Sequence, residues 1–246
     1  MKNHPILFLS GWAHGEEVFV PLAETIGAER PFDSLCPASC EPRHQAGEKI
    51  SSYARAVSAR LDKWGEPACL IGWSAGGVAA IETALRYPEK CAGLVLLGTT
   101  ARFCSQKEYG CGVRPAILRA MIGGLQKDPR AVLTDFISRA LYPLEATGDL
   151  LAQRTQAALR AGADSLTCGL KYLASADFRS ELSSLPHPCL LMHGQKDMIV
   201  PWEAGRYLHE NLSDSRLELL PSAGHCLVEQ YPEELSRHIA NFLERL

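Results

Sequence analysis

The stretch that leaves this chain the fewest structural options is residues 70–88, LIGWSAGGVAAIETALRYP. It opens with an apolar run too short for a helix, and from Val78 to Tyr87 apolar residues recur at helical spacing. Between the two lies Gly72-Trp73-Ser74-Ala75-Gly76, a G-x-S-x-G pentapeptide at a strand-to-helix junction. There a serine occupies a tight, strained turn that lifts its hydroxyl above the sheet, and the flanking glycines leave room for neighbouring backbone. A serine that merely caps the helix would also fit this position. Its partners elsewhere in the chain decide between the two.

The rest of the chain repeats the strand-then-helix rhythm. Ile6–Leu9, Cys69–Gly72, Gly93–Gly98, Cys189–Gly194 and Arg216–Leu220 are short apolar runs without strict alternation, the pattern of strands covered on both faces. Ser34–Pro37 is a weaker sixth strand. Ser51–Trp64, Val78–Tyr87, Glu203–Leu212 and Glu233–Leu246 have helical periodicity. The expected fold class is α/β, a doubly wound, mostly parallel sheet. Residues 101–182 break the rhythm with successive helical patterns and no strand, which implies an all-helical cap over the carboxyl ends of the strands. The expected organisation is one domain with an insertion: core 1–100, cap 101–182, core 183–246.

A serine hydroxyl becomes a useful nucleophile when a base takes its proton and an acid holds that base in one tautomer. HGQKDMIVP supplies Asp197 just after a strand, and PSAGHCLVEQYP supplies His225 between the last strand and the C-terminal helix. Ser74, Asp197 and His225 therefore share one edge of the expected sheet, in the order that this fold uses. The backbone N–H of Ala75, at a helix N-terminus, and that of Trp12, in the loop after the first strand, are the expected oxyanion donors.

These segments resemble the α/β-hydrolases over nearly the whole chain. Within them the chain is most similar to the pimeloyl-ACP methyl ester carboxylesterases of biotin synthesis, through LFLSGWAHGEEVF, LIGWSAGGVAA, GLKYLASADFRSELSSLPHPCLLMHGQKDMIVP and LPSAGHCLVEQYPEEL. The resemblance implies Ser74 as nucleophile, His225 as base, Asp197 as its orienting acid, and Trp12 and Ala75 as oxyanion donors. It also implies a substrate channel lined by Trp12 and by the cap segment from Phe136 to Ala140, with Arg130, Arg154 and Arg160 contacting a carrier protein or its phosphopantetheine. The family's histidine before the Gly-Trp pair is Ser10 here, and His14 downstream reads as a surface loop residue. The family's N-terminal antiparallel strands are expected to be missing or nearly so.

The net charge of −3 offers no basic field for nucleic acid. No apolar run reaches membrane-spanning length and no signal-peptide pattern precedes Ile6, so the expectation is a cytoplasmic, monomeric protein without membrane or nucleic-acid partners. Residues 101–180 hold eleven Lys or Arg against seven acids, a positive cap that suits an acidic carrier as well as it suits ordinary solvation. The nine cysteines lack paired metal-ligand spacing; Cys36 and Cys40 form the closest pair outside the middle of the chain. No metal or organic cofactor is expected. Other uses of the same residues stay open: a general short-chain carboxylesterase or lactonase, a lyase or carbon–carbon bond hydrolase, and a non-catalytic ligand-binding relative.

Overall fold

The computed structural model describes residues 4–26, 32–35 and 50–246. Six strands form one sheet: β1 (Ile6–Leu9), β2 (Phe32–Leu35), β3 (Ala68–Trp73), β4 (Cys91–Leu97), β5 (Cys189–Gly194) and β6 (Ser215–Leu220). Their order is β2-β1-β3-β4-β5-β6 and every pairing is parallel. Strands β1, β3 and β5 are buried at every position. That is why they read as unbroken apolar runs rather than alternating ones. β6, at one edge, is only partly buried. β2, at the other edge, ends at Leu35 and begins earlier than its apolar signal. Pro37, Cys36 and Cys40 lie outside the described residues.

Ten α-helices are present among the described residues. Those of the core are α1 (Val20–Ile26), α2 (Ser52–Leu61), α3 (Ala75–Arg86), α8 (Glu203–Asn211), α9 (Leu227–Gln230) and α10 (Pro232–Leu243). Four more, α4 (Pro115–Leu125), α5 (Pro129–Leu141), α6 (Gly148–Leu159) and α7 (Ala163–Ser175), lie between β4 and β5. The expected cap is not helical from its start, since residues 101–114 form turns with isolated β-bridges, Arg102 to Asp177, Cys104 to Val113 and Gln106 to Tyr109. Asp128 and Thr147 cap α5 and α6 by accepting from Ala131 N–H and Leu150 N–H.

From β1 the chain steps to β2 on one side, then returns to β3 on the other. The loops after β1 and β3 therefore diverge at the reversal of strand order, where open parallel sheets hold ligands. Helix α3 is pressed close to β1: a Cβ on Gly76 would lie 2.0 Å from the Leu9 carbonyl oxygen. Only glycine fits there.

The helices between β4 and β5 are anchored to the core by polar bonds. Tyr172 on α7 donates from its hydroxyl to buried Glu82 on α3 at 2.8 Å, and Ser51 Oγ and Ser51 N–H donate to the same carboxylate. Cys226 N–H donates to Ala140 O, and Gln230 Nε2 donates to Leu141 O. Among the described residues no helix is long and apolar enough to cross a membrane.

Candidate active site

Ser74 stands between β3 and α3 with φ +55 and ψ −120, a left-handed strain that a side chain adopts only when its surroundings enforce it. Two bonds enforce it here: Ser74 N–H donates to Leu97 O at 2.9 Å, and Thr99 Oγ1 donates to Ser74 O at 2.7 Å. Ala75 is the first residue of α3, so its N–H has no acceptor within the helix and belongs to the positive end of the dipole.

His225 lies in the loop after β6 and is buried. Its Nδ1 is 2.7 Å from Asp197 Oδ2 and its Nε2 is 2.9 Å from Ser74 Oγ. A carboxylate only accepts, so Nδ1 carries the hydrogen and the Nε2 lone pair faces the serine hydroxyl. The loop is held by Trp73, whose indole N–H donates to His225 O at 2.8 Å.

Asp197 follows β5 and is fully enclosed. Its Oδ1 accepts from Ile199 N–H and Val200 N–H, both at 2.8 Å. Its Oδ2 faces His225 and, at 3.4 Å, His193 Nε2. Burial pushes the carboxyl up, but the adjacent His225 and the hydrogen bonds from His193 and His225 outweigh it and hold the group well below the usual carboxylate range. The carboxylate is ionised at any pH where the protein would work.

Above Ser74 lies a cavity of about 950 Å³, with Ser74 and Asp197 in its wall. Its apolar lining comes from Trp12, from Ile117 and Met121 of α4, Val132 and Phe136 of α5, and Leu170 and Leu173 of α7. Trp12 is fixed from three sides: its indole N–H donates to Leu166 O on α7 at 2.8 Å, Phe136 meets it edge-on at 4.7 Å, and a Cβ on Gly169 would lie 2.7 Å from its Cδ1. Of the expected channel residues, Trp12 and Phe136 reach the cavity. Ala140 does not: it is fully buried one turn further on, beneath the His225 loop.

The expected carrier-contacting arginines also lie elsewhere: α6, which carries Arg154 and ends at Arg160, contributes nothing to the cavity wall, and Arg130 of α5 turns to α6 instead of the cavity. Arg154 pairs with half-buried Glu229, Arg130 donates to Gln156 on α6, and Arg160 caps the C-terminus of α6. The cations on the cavity are instead Arg114, exposed at the start of α4, and Arg139, which pairs with Asp135.

His14 is no surface residue. It is half-buried, with its ring 4.7 Å from Trp73 and 6.2 Å from Phe136. Its burial depends on a cap helix 120 residues further along the chain, so the local sequence carries no sign of it. His193 also faces Asp197, and its one local sign in the sequence is its place four residues before Asp197 near the end of a buried strand. Among the described residues no group of three His, Cys, Asp or Glu side chains could hold a metal ion.

A parallel α/β sheet with a strained serine, a histidine and an enclosed aspartate on its carboxyl edge defines a hydrolase-type site. The chain belongs to the alpha/beta hydrolase family, whose model matches residues 6–238. Among named relatives it is similar to the pimeloyl-[acyl-carrier protein] methyl ester esterase of Nitrosomonas europaea, at 28% identity over 233 residues, covering 93% of this chain and 91% of that protein. The protein of the same name from Aromatoleum aromaticum is 28% identical over 247 residues, with 95% and 96% covered. Of solved structures, the esterase from Exiguobacterium antarcticum superposes with a TM-score of 0.84 at 20% identity over 98% of this chain and 92% of that one. That last likeness is one of fold.

Proposed function

We propose that this carboxylic ester hydrolase cleaves the methyl ester of a pimeloyl chain carried on acyl carrier protein, through an acyl-enzyme on Ser74. The observation that carries the proposal is the Ser74–His225–Asp197 chain of hydrogen bonds in the wall of a largely apolar cavity of about 950 Å³. The substrate assignment comes from the relatives of that name, similar over nearly the whole chain.

His225 Nε2 takes the Ser74 hydroxyl proton as Ser74 Oγ bonds to the ester carbonyl carbon. The carbonyl oxygen becomes an oxyanion held by the N–H groups of Ala75 and Trp12. The bond to the methoxy oxygen breaks, and methanol leaves with the proton from His225. Water then gives a proton to His225, attacks the acyl carbon and releases the free acid, and the proton returns to Ser74. Asp197 stays ionised throughout and stabilises the imidazolium.

One observation favours a second reading, a general short-chain carboxylesterase: the expected carrier-contacting arginines do not line the cavity. The discriminating experiment is acid release from methyl pimeloyl-ACP, free methyl pimelate and 4-nitrophenyl acetate by the purified chain. The proposal expects the highest kcat/KM on the carrier-bound ester. It also expects Ser74→Ala to stay folded and lose several orders of magnitude in kcat. Brisk turnover of the simple ester without action on the carrier-bound one would establish the second reading.

A further inference from the structure

His14 is an ionisable group at the site for which the proposed reaction has no task. It closes a tight turn, Ser10 to His14, that carries Trp12 beside the nucleophile. Three bonds pin this turn. His14 N–H donates to Gly11 O at 3.3 Å, Ser10 Oγ donates to His14 O at 3.1 Å, and His14 Nδ1 lies 2.9 Å from Trp12 O. A carbonyl only accepts, so Nδ1 carries the hydrogen. Inside the turn Ala13 has φ +62, a left-handed backbone that a residue with a Cβ adopts only when held there.

We propose that His14 is the positioning residue of the oxyanion site: its Nδ1–H, bonded to Trp12 O, braces the strained turn and so fixes the Trp12 N–H for the developing oxyanion. Its packing against Trp73 and Phe136 keeps the ring from turning away. Burial depresses the imidazole to about 4, so the ring is neutral at working pH and keeps the tautomer that this bond needs. The inference rests on the reading of Ser74 as nucleophile and Trp12 as oxyanion donor.

The test is a matched pair of variants. His14→Phe keeps a ring and loses the donor; His14→Asn loses the ring and keeps a donor where Nδ1 stood. Turnover of 4-nitrophenyl acetate is expressed per active site, counted by labelling with a fluorophosphonate. Affinity is measured for a trifluoromethyl ketone, whose adduct with the serine places an oxyanion in the site, and for the product acid. Loss of a whole oxyanion donor costs about 10²- to 10³-fold, so a misplaced one is expected to lower kcat about 10-fold in His14→Phe, with KM and product affinity unchanged. Ketone affinity falls by the same factor, and His14→Asn stays within about 3-fold of the wild type.

Ser10→Ala loosens the same turn from its other end and should shift kcat and ketone affinity together, which keeps the test open if His14→Phe does not fold. Wild-type ketone affinity in His14→Phe, or equal losses in both His14 variants, would overturn the proposal alone. Absence of fluorophosphonate labelling in the wild-type protein would overturn the nucleophile reading as well.

Discussion

Gly169→Ala is expected to separate catalysis from stability if Trp12 is the oxyanion donor proposed above. Gly169 lies inside α7 with its Cα against the Trp12 indole, and an added Cβ would sit 2.7 Å from Trp12 Cδ1. Ordinary carbon–carbon contact begins near 3.5 Å, so the ring must retreat by about 0.8 Å. It cannot retreat freely, because its N–H is bonded to Leu166 O and the Phe136 ring packs against it in a T-shaped contact. The displacement is therefore passed to the Trp12 backbone. A misplacement of that size in a reacting assembly costs on the order of 10- to 100-fold, or about 1.4–2.7 kcal/mol in activation free energy. Stability responds differently: overpacking costs about 1–3 kcal/mol, while replacing a mid-helix glycine by alanine returns about 0.5–1 kcal/mol. The expected variant is folded, at most about 2.5 kcal/mol less stable in urea, and about 10- to 100-fold lower in kcat/KM on 4-nitrophenyl acetate. An unchanged kcat/KM with raised thermal stability would show that Trp12 is not braced by α7, and the reasoning would fail.

In Asp197→Asn the oxygen must stay where Ile199 and Val200 donate, which turns the amide NH2 toward His225 Nδ1 and forces the wrong tautomer. A kcat loss near 10⁴-fold is expected, on the scale known for this change in other triads, and a loss below tenfold would count against the assignment. Trp73→Phe leaves the buried His225 carbonyl without its donor; urea unfolding should register a loss of about 1–3 kcal/mol. His14, with its ordinary value of 6.5 lowered to about 4, binds a proton in the unfolded chain before it does so in the folded one. Stability should therefore fall as pH drops from about 6.5 toward 4, and His14→Phe should remove about 2 kcal/mol of the difference between pH 7 and pH 4.5, a change that urea titrations at the two pH values would detect.

The strands were legible because a parallel strand buried on both faces leaves an uninterrupted apolar run, and β1 and β5 end where the runs end. Ser74, Asp197 and His225 were legible because each is the residue type that its chemistry demands, at the carboxyl end of a strand. What failed to show was whatever depends on two distant segments meeting. Ala140 shares a helical face with Phe136, yet only the longer side chain reaches the cavity. Arg154 is captured by Glu229, and His14 is enclosed by Phe136; neither contact leaves a periodicity in the chain.

The contact between Trp12 and Gly169 divides the cap into parts with different evolutionary freedom. Helices α4 and α5 supply much of the apolar wall, so exchanges at Ile117, Met121 or Val132 should reshape what the cavity accepts while the Ser74–His225–Asp197 geometry stays as it is. Helix α7 also lines the cavity through Leu170 and Leu173, but its Gly169 and its Leu166 carbonyl hold Trp12, the proposed oxyanion donor, in place, so those two positions have no such licence. New substrate preferences in this lineage should therefore arise from changes in α4 and α5, with Leu166 and Gly169 of α7 inherited almost as part of the core.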